Sequence, residues 1–227
     1  MSGAALPHFD AVPLFQCLNA DERKLLAPVS RAVAYEKGEE IFREGEPATD
    51  LCFVVIGRVK VVKAAPERDV ILGLFGVGEP IGAVALFEGK LFPASAVALE
   101  PSTILRIPER EFFATIDDHP EMTRRLLQGL MLRQFEISRR LADLTGSVEK
   151  RIARLLLMLA ERVGRREGAG STIPLVLSRQ DIADLTATTV ESAIRVMSRW
   201  GKENVVITGP EGFSIPDVQA LDAVTRD

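Results

Sequence analysis

The sequence predicts an α+β protein, in which a β-rich region is followed by helices and then by a small mixed segment. Three observations lead to this prediction. Between about Tyr35 and Pro108, short β-rich runs are broken at close intervals by glycines, which is the pattern of an all-β domain. After Pro108 the apolar residues recur at helical spacing over a long stretch. From Leu175 to Asp227, two short capped helices are followed by two short β-rich runs.

The composition is that of a globular chain. Its 227 residues are 47% hydrophobic and 26% charged, enough for one large domain or two modest ones. No apolar stretch approaches the roughly 20 residues that a membrane-spanning helix needs, and the N-terminus lacks the pattern of a secretion signal. We therefore expect a cytoplasmic protein with no membrane partner. Cys17 and Cys52 form no Cys-x-x-Cys pair, so we expect core thiols and neither disulfides nor a metal site.

The charge is unevenly distributed. A net charge of -4 argues against binding of nucleic acid by bulk electrostatics, because such affinity comes from neutralising several phosphates with Lys and Arg. From Pro120 to Arg166, however, Arg and Lys outnumber Asp and Glu. The expected interpretation of this excess is a solvated helix face.

The β-rich region predicts a double-sheet jelly roll or a similar barrel. Its runs are EEIFREGEPA, LCFVVIGRVKVVK, DVILGLFGVGEPIG, ASAVAL and STILRI. Leu51 to Ile56 is apolar almost throughout, as expected for a strand that is buried between two sheets. Before this region, Asn19 is expected to cap a short helix over Ala20 to Leu26, since its side chain accepts hydrogen bonds from free N–H groups at a helix start.

The long helical stretch contains a heptad seam. Its members follow spacings of 3, 4, 3, 4 and 3: Leu127, Leu130, Gln134, Ile137, Leu141 and Leu144. Such a seam needs a partner, and a homodimer in which the polar Gln134 sets the register supplies it. The alternative is one long helix that lies on its own β-domain. Gly146 predicts a break before a further helix over Val148 to Val163, and the segment REGAGSTIP that follows is expected to be a connection.

The last part of the chain predicts a helix-turn-helix with a wing. Ser178, with Asp181 three residues later, resembles a capping box and opens a helix over Arg179 to Leu185. Thr188 has a carboxylate at the same spacing and predicts a second helix from about Thr189 to Trp200. Two short helices joined by a turn of about four residues make a helix-turn-helix. The run VVITGPEGFSIPD then predicts two short strands beside it.

The second of these helices has two faces. The predicted buried stripe consists of Ala193, Val196, Met197 and Trp200. Glu191, Arg195 and Arg199 form an outward row. One interpretation of this row is an intrahelical ion pair. The other is DNA reading, because in the major groove Arg binds guanine with two bonds and Glu accepts from cytosine.

Residues at the edges of this face suit the phosphate backbone, which sets the register of a protein on DNA. The predicted phosphate contacts are Ser178, Arg179, Thr189, Arg199 and Lys202. Because one such module buries little surface, we expect a two-fold dimer that reads two half-sites about one helical turn apart. The heptad seam supplies that dimer.

From about Phe15 to Leu221 the chain resembles the CRP/FNR (catabolite activator and fumarate-nitrate regulator) family of bacterial transcription factors. The resemblance rests on YEKGEEIFREGEPA, FVVIGRVKV, VGEPIGAVALF, the long helix to Leu144, and LSRQDIADLTATTVESAIRVMSRW. It implies a homodimer that binds inverted-repeat DNA and RNA polymerase, with a cyclic-nucleotide-binding-like sensor domain (1–118), a dimerisation helix (119–146) and a winged helix (147–227). An effector bound by the sensor would act through the long helix on the DNA-reading helices.

The resemblance also implies which bases are read. Glu191 and Arg195 match the family's base-reading Glu and Arg. Val190 is similar to the fumarate-nitrate-regulator branch, which implies a half-site near TTGAT rather than TGTGA. Ile194 departs from the Ser of that branch, which leaves the outer base open.

The implied effector pocket consists of Gly82, Ala83, Leu86, Ala94 and Ser95. In nucleotide-binding members, a Glu after the glycine holds the ribose and an Arg before the serine neutralises the cyclic phosphate. Here Ala83 and Ala94 occupy those two positions. Because a lost charge-assisted hydrogen bond costs about 1.5–3 kcal/mol, cyclic AMP is not expected as the effector, which remains unknown.

Other functions stay open at this point. No cofactor is predicted, since the iron-sulfur branch of the family uses four cysteines; haem needs an axial ligand, for which His8 is the candidate. One alternative is therefore a haem- or small-molecule-sensing protein whose output is a protein interaction, and another is a cyclic-nucleotide-dependent activator. An enzyme is not expected, because the sequence shows no nucleophile-base pair, Gly-rich phosphate loop with Lys, or metal-ligand cluster.

Overall fold

The computed structural model describes residues 2–3, 6–65, 69–143 and 146–226, except for the side chains of 2–3, 6–7, 136–137 and 139–143. The predicted α+β class is confirmed. The chain divides into two compact units, Met1–Arg133 and Gln134–Asp227, and one long helix runs through the division.

The first unit contains two antiparallel sheets. Its strands are β1 (Ser2–Gly3), β2 (Arg31–Tyr35), β3 (Glu40–Phe42), β4 (Asp50–Ile56), β5 (Val59–Lys63), β6 (Val70–Phe75), β7 (Pro80–Ile81), β8 (Ser95–Ala98) and β9 (Ser102–Pro108). One sheet has the order β1-β2-β9-β4-β7 and the other has the order β3-β8-β5-β6. The predicted double-sheet domain is thus present, and its strands begin earlier in the chain than the expected start near Tyr35, because both β1 and β2 precede that position or end at it.

Two apolar clusters flank the five-stranded sheet. The inter-sheet core includes Cys52 and Val54 of β4, together with residues of the opposite sheet. The helix-side core includes Leu51, Phe53 and Val55 of the same strand, packed against the N-terminal segment and the helices. Because alternate residues of β4 enter different cores, the strand is apolar almost throughout, as its sequence indicated. It was expected to lie between two sheets, but its second face is covered by the N-terminal segment and the helices instead.

The helices of the first unit are α1 (Ala20–Leu26), α2 (Ala83–Glu88), α3 (Glu109–Asp118) and α4 (Pro120–Asp143), preceded by 3-10 turns over Leu6–Ala11 and Pro13–Cys17. The predicted cap of α1 is confirmed. Asn19 Oδ1 accepts hydrogen bonds from the N–H groups of Asp21 and Glu22 at 2.9 and 3.0 Å, and Asn19 N donates to Glu22 Oε2 at 2.7 Å. This reciprocal pair is a complete capping box.

The helical stretch after Pro108 is interrupted at His119. This residue has φ -127° and ψ 82°, outside the helical region, and it precedes Pro120. The proline ring disfavours the helical conformation of the residue before it, so α3 ends there and α4 begins with the proline.

The second unit consists of α5 (Val148–Val163), β10 (Arg165–Glu167), β11 (Gly170–Ile173), α6 (Arg179–Leu185), α7 (Val190–Lys202), β12 (Ile207–Gly209), β13 (Gly212–Ile215) and α8 (Val218–Arg226). The predicted break at Gly146 and the predicted bounds of α5 and α6 are confirmed. The wing is confirmed as the β12–β13 hairpin. The segment REGAGSTIP was expected to be a connection, but most of it forms β10 and β11, because Ser171 to Ile173 pair with β13.

Candidate nucleic-acid interface

The start of α7 is set by Thr189, whose Oγ1 accepts a hydrogen bond from Ser192 N at 3.2 Å. The sequence prediction that Thr188 caps this helix is wrong. Thr188 is buried, and its N–H donates to Ala183 O at 2.9 Å, so it belongs to the turn that joins α6 to α7. Both threonines have a polar residue three positions later, and only the packing of the turn decides between them.

The two faces of α7 lie as predicted. Its buried stripe is 0–5% exposed and consists of Ala193, Val196, Met197 and Trp200. Glu191, Ile194, Arg195 and Arg199 are exposed. The helix is therefore anchored by one apolar stripe and presents the opposite face to solvent.

Glu191 and Arg195 do not pair with each other. Arg195 Nη2 donates to Ser192 Oγ at 3.4 Å, and Glu191 has no hydrogen-bond or ion-pair partner in the described part of the chain. The interpretation of Glu191 and Arg195 as an intrahelical ion pair is not supported, although Arg199 of the same row lies 3.8 Å from Glu203, four residues later. A carboxylate and a guanidinium thus stand side by side near the start of α7, available to a ligand.

Most of the predicted phosphate contacts already hold partners within the second unit. Ser178 Oγ accepts from Asp181 N at 3.0 Å in the confirmed capping box of α6. Arg179 Nη2 donates to Thr208 Oγ1 of the wing at 2.8 Å, and partial burial lowers the pKa of its guanidinium. Lys202, in the last turn of α7, is exposed.

Arg199 is held by an ion pair. Its Nη2 lies 2.6 Å from Glu149 Oε2 of α5, and this hydrogen-bonded contact raises the pKa of Arg199. A DNA phosphate would have to compete with this carboxylate. Nothing in the local pattern of α7 marks Glu149 as the partner.

The predicted effector positions are only partly brought together. Gly82 precedes α2 with φ +73°, and a Cβ at this position would lie 2.5 Å from Phe92 Cε1. The ring of Phe92 stacks on that of Phe42 with centroids 3.8 Å apart and an interplanar angle of 11°, and both rings are 4% exposed. An aromatic stack in the inter-sheet core therefore packs directly against Gly82.

The other effector positions differ in their surroundings. Ala94 is buried and Ala83 is half-buried. Ser95 Oγ accepts from Glu44 N at 2.9 Å. Leu86 faces the helix-side core rather than the inter-sheet core. The two alanines contribute no charged group to the turn.

The cysteines are in different environments. Cys52 is fully buried, which raises the pKa of its thiol to about 11 and confirms a core thiol. Cys17 is half-buried and its Sγ donates to Leu14 O at 3.3 Å. His8 is half-buried in the first 3-10 turn. In the ranges that the structure describes, no group of three or more His, Cys, Asp and Glu residues is placed to hold a metal ion.

The heptad seam of α4 is exposed to solvent at those of its residues whose side chains the structure describes. Leu127 and Leu130 are 56% and 50% exposed, and Gln134 is exposed. The side chains of Ile137 and Leu141, and the whole of Leu144, lie outside the described residues.

Other residues of α4 pack on the β-domain, as the alternative interpretation of this helix predicted. Met122 is fully buried in the helix-side core, and Arg125 Nη1 donates to Pro13 O at 3.0 Å. One face of α4 thus packs on the first unit, and the seam occupies a different face. No described helix is both long and apolar enough to cross a membrane.

Comparisons with known proteins agree with this architecture. The chain matches a cyclic nucleotide-binding domain model over residues 32–119 and a Crp-like helix-turn-helix model over residues 150–224. It is 30% identical over 218 residues to a cyclic AMP receptor protein of Thermus thermophilus, covering 93% of this chain and 96% of that protein. It is 27% identical over 210 residues to a CRP-like cAMP-activated global transcriptional regulator of Mycobacterium tuberculosis, covering 92% and 94% of the two chains.

A solved structure agrees as well. The crystal structure of a CRP-family transcriptional regulator of Thermus thermophilus superimposes with a TM-score of 0.74 at 28% identity, covering 86% of this chain and 97% of that one. The Mycobacterium tuberculosis relative and the solved structure are both named as transcriptional regulators. With its β-domain, long helix and Crp-like helix-turn-helix, the chain belongs to the CRP/FNR family of DNA-binding transcription regulators.

Proposed function

We propose that the protein is a dimeric, sequence-specific regulator that reads DNA with α7 and does not respond to cyclic AMP. The observation that carries the proposal is the exposed, mutually unpaired Glu191 and Arg195 near the start of α7. In the major groove, Arg195 would bind guanine O6 and N7 and Glu191 would accept from cytosine N4. Half-exposed side chains beside them, Val190 and Ile194, would contact the flanking bases.

The docking register would come from the phosphate backbone. Four residues that would contact phosphates lie at the edges of the reading face: Lys202, Arg179, Ser178 and Thr189. Arg199 would also contact a phosphate once its ion pair with Glu149 is broken. The half-sites would resemble TTGAT and form an inverted repeat that matches a two-fold dimer. Such a regulator would meet RNA polymerase and its target genes in the bacterial cytoplasm. Its domains would follow the bounds 1–118, 119–146 and 147–227.

The dimer would form along the seam of α4. Two leucines of the seam, Leu127 and Leu130, each leave half or more of their surface in water. A second copy of the same helix would cover them and continue along Gln134, Ile137, Leu141 and Leu144.

The effector would not be cyclic AMP. Although two relatives carry cyclic AMP in their names, Ala83 and Ala94 supply neither a carboxylate for a ribose nor a guanidinium for a phosphate. The Phe42 and Phe92 stack against Gly82 adds an apolar wall to the same turn. An apolar molecule, or no molecule at all, suits these surroundings better than a charged nucleotide.

DNA reading is tested by fluorescence anisotropy at one stated salt concentration, with a duplex that carries two inverted TTGAT-like half-sites and a scrambled duplex. The protein should prefer the first duplex, with or without cyclic AMP. Arg195→Ala should lower the preference by about 1–3 kcal/mol, because one bidentate base contact is lost. Arg166→Ala, which removes an exposed charge from β10, should keep it. Equal binding to both duplexes would refute the proposal, and binding that requires cyclic AMP would refute its effector part.

The dimer is tested by sedimentation. Leu127→Asp combined with Leu130→Asp places charges in the seam and should give monomers. Leu132→Asp is the matched control, because Leu132 is 67% exposed on the same helix but lies roughly opposite the seam at 3.6 residues per turn. A tight dimer in the double variant, or monomers in the control, would show that the seam is not the interface.

A further inference from the structure

A side chain in the first turn of α5 forms hydrogen bonds to the segment that joins α6 to α7 in the helix-turn-helix. Arg151 Nη1 donates to Thr186 O at 2.8 Å and to Ala187 O at 2.9 Å. These carbonyls stand at the C-terminal end of α6, where the last carbonyls of a helix lack partners within it. Arg151 Nε is buried, so this side chain reaches inward rather than into solvent.

Because of Ala187, the turn between α6 and α7 needs stabilising contacts from outside itself. Its φ is +48°, in the left-handed region that helix ends usually assign to glycine. A Cβ makes this conformation unfavourable, so the surrounding contacts must maintain it. Thr186 Oγ1 donates back to Ile182 O at 2.7 Å, and Thr188 N donates to Ala183 O at 2.9 Å. Arg151 adds two bonds from outside α6 and its turn.

The same turn of α5 also reaches the far end of α7. Glu149, two residues before Arg151, forms the 2.6 Å ion pair with Arg199. Both ends of α7 are therefore connected to one short segment of α5. The N-terminal end is connected through the turn that Arg151 binds, and the C-terminal end through the ion pair between Arg199 and Glu149. The angle of α7 relative to α5 depends on this segment.

We propose that Arg151 is a positioning residue for DNA reading. The inference rests on the proposed function, because it assumes that Glu191 and Arg195 read bases. Two parallel hydrogen bonds from Arg195 to one guanine tolerate little rotation of α7. By closing the turn directly before α7, Arg151 sets the direction from which these side chains enter the groove, and it does so without touching DNA.

The test compares Arg151→Gln and Arg151→Lys with Arg166→Gln, which makes the same charge change on exposed β10. The readout is the ratio of dissociation constants for the inverted-repeat duplex and for one with the G·C pair read by Arg195 replaced. Arg151→Gln should reduce this ratio at least fivefold, Arg151→Lys should restore part of it, and Arg166→Gln should leave it unchanged. Leu221→Ala, in the fully buried position on α8, is expected to lower stability while keeping the ratio. An undiminished ratio in Arg151→Gln would overturn the proposal, as would an equal loss in Leu221→Ala.

A second measurement needs no DNA. Hydrogen exchange of the Thr188 amide reports the turn directly, and Arg151→Gln should speed it at least tenfold relative to Arg166→Gln. Unchanged exchange would overturn the role of Arg151 even if DNA reading is confirmed. Conversely, a wild-type protein that binds both duplexes equally refutes the proposed function, while the exchange result still decides what Arg151 does.

Discussion

Removal of the Phe92 ring should destabilise the β-domain strongly. Phe92 is 4% exposed and stacked on Phe42 with centroids 3.8 Å apart, so Phe92→Ala removes a buried ring and leaves a cavity beside Gly82. Such a change costs about 3–5 kcal/mol of unfolding free energy. Phe87→Ala is the matched control on α2. Phe87 is 49% exposed and contacts Phe113 edge-on at 5.0 Å, so we expect about half that cost.

The comparison is measured by urea denaturation followed by far-UV circular dichroism, with calorimetry as a second probe. The single tryptophan, Trp200, lies in the second unit, and its fluorescence serves as a reference for that unit. The reasoning is refuted if Phe92→Ala costs less than Phe87→Ala, or if it costs under about 1 kcal/mol. Cyclic AMP should raise the melting temperature of neither variant, because the opened space still lacks the charges absent at Ala83 and Ala94.

Three further predictions concern single residues of the first unit. The pKa of the Cys52 thiol is raised from 9.0 to about 11. The protonated thiol therefore stabilises the folded state fully below about pH 9, and this stability is lost as the pH rises towards 11. The unfolding free energy of Cys52→Ala should lack this part of the pH dependence in alkaline denaturation. Asn19→Ala should cost about 1 kcal/mol in thermal unfolding, whereas Asn19→Asp should keep the cap and most of the stability. Gly82→Ala should cost more than Gly89→Ala in denaturant unfolding, because both have positive φ but only Gly82 has Phe92 against it; equal costs would contradict the close approach.

Local patterns were predicted well wherever a few neighbouring residues determine the structure. The caps at Asn19 and Ser178 each depend on a side chain and a carboxylate three residues later, and both are complete in the structure. The faces of α7 follow from helical period alone. Thr188 shows the limit of such patterns, because Thr189 is an equally good cap and the burial of Thr188 in the turn decides between them.

Elements that depend on distant partners were missed. The three residues of β10 are all exposed, and β11 is stabilised by pairing with β13 some forty residues later in the chain. α2 was not predicted as a helix, and its residues entered the sequence analysis only through the implied effector pocket. It is fixed by Gly82 before it and by Ala85 and Leu86, which enter different cores. None of these three elements has enough residues to show a period of its own.

The arginines between Pro120 and Arg166 show why charge counts alone cannot assign phosphate contacts. They were expected to form a solvated face, yet Arg133 lies 4.3 Å from the ring centroid of Phe75 and Arg151 holds carbonyls 35 and 36 residues later. Arg125 similarly holds Pro13 O. Each of these three contacts is made to a backbone carbonyl or a ring, groups that leave no trace in a charge pattern. Arg125 and Arg133 also form ion pairs, with Glu121 and Glu79, each at 3.6 Å. Arg199 adds an acidic partner, Glu149, so its availability to DNA depends on the packing of α5 against α7. The proposed DNA-reading face is therefore specified locally by α7, whereas the angle at which it is presented depends on contacts that only the folded domain brings together.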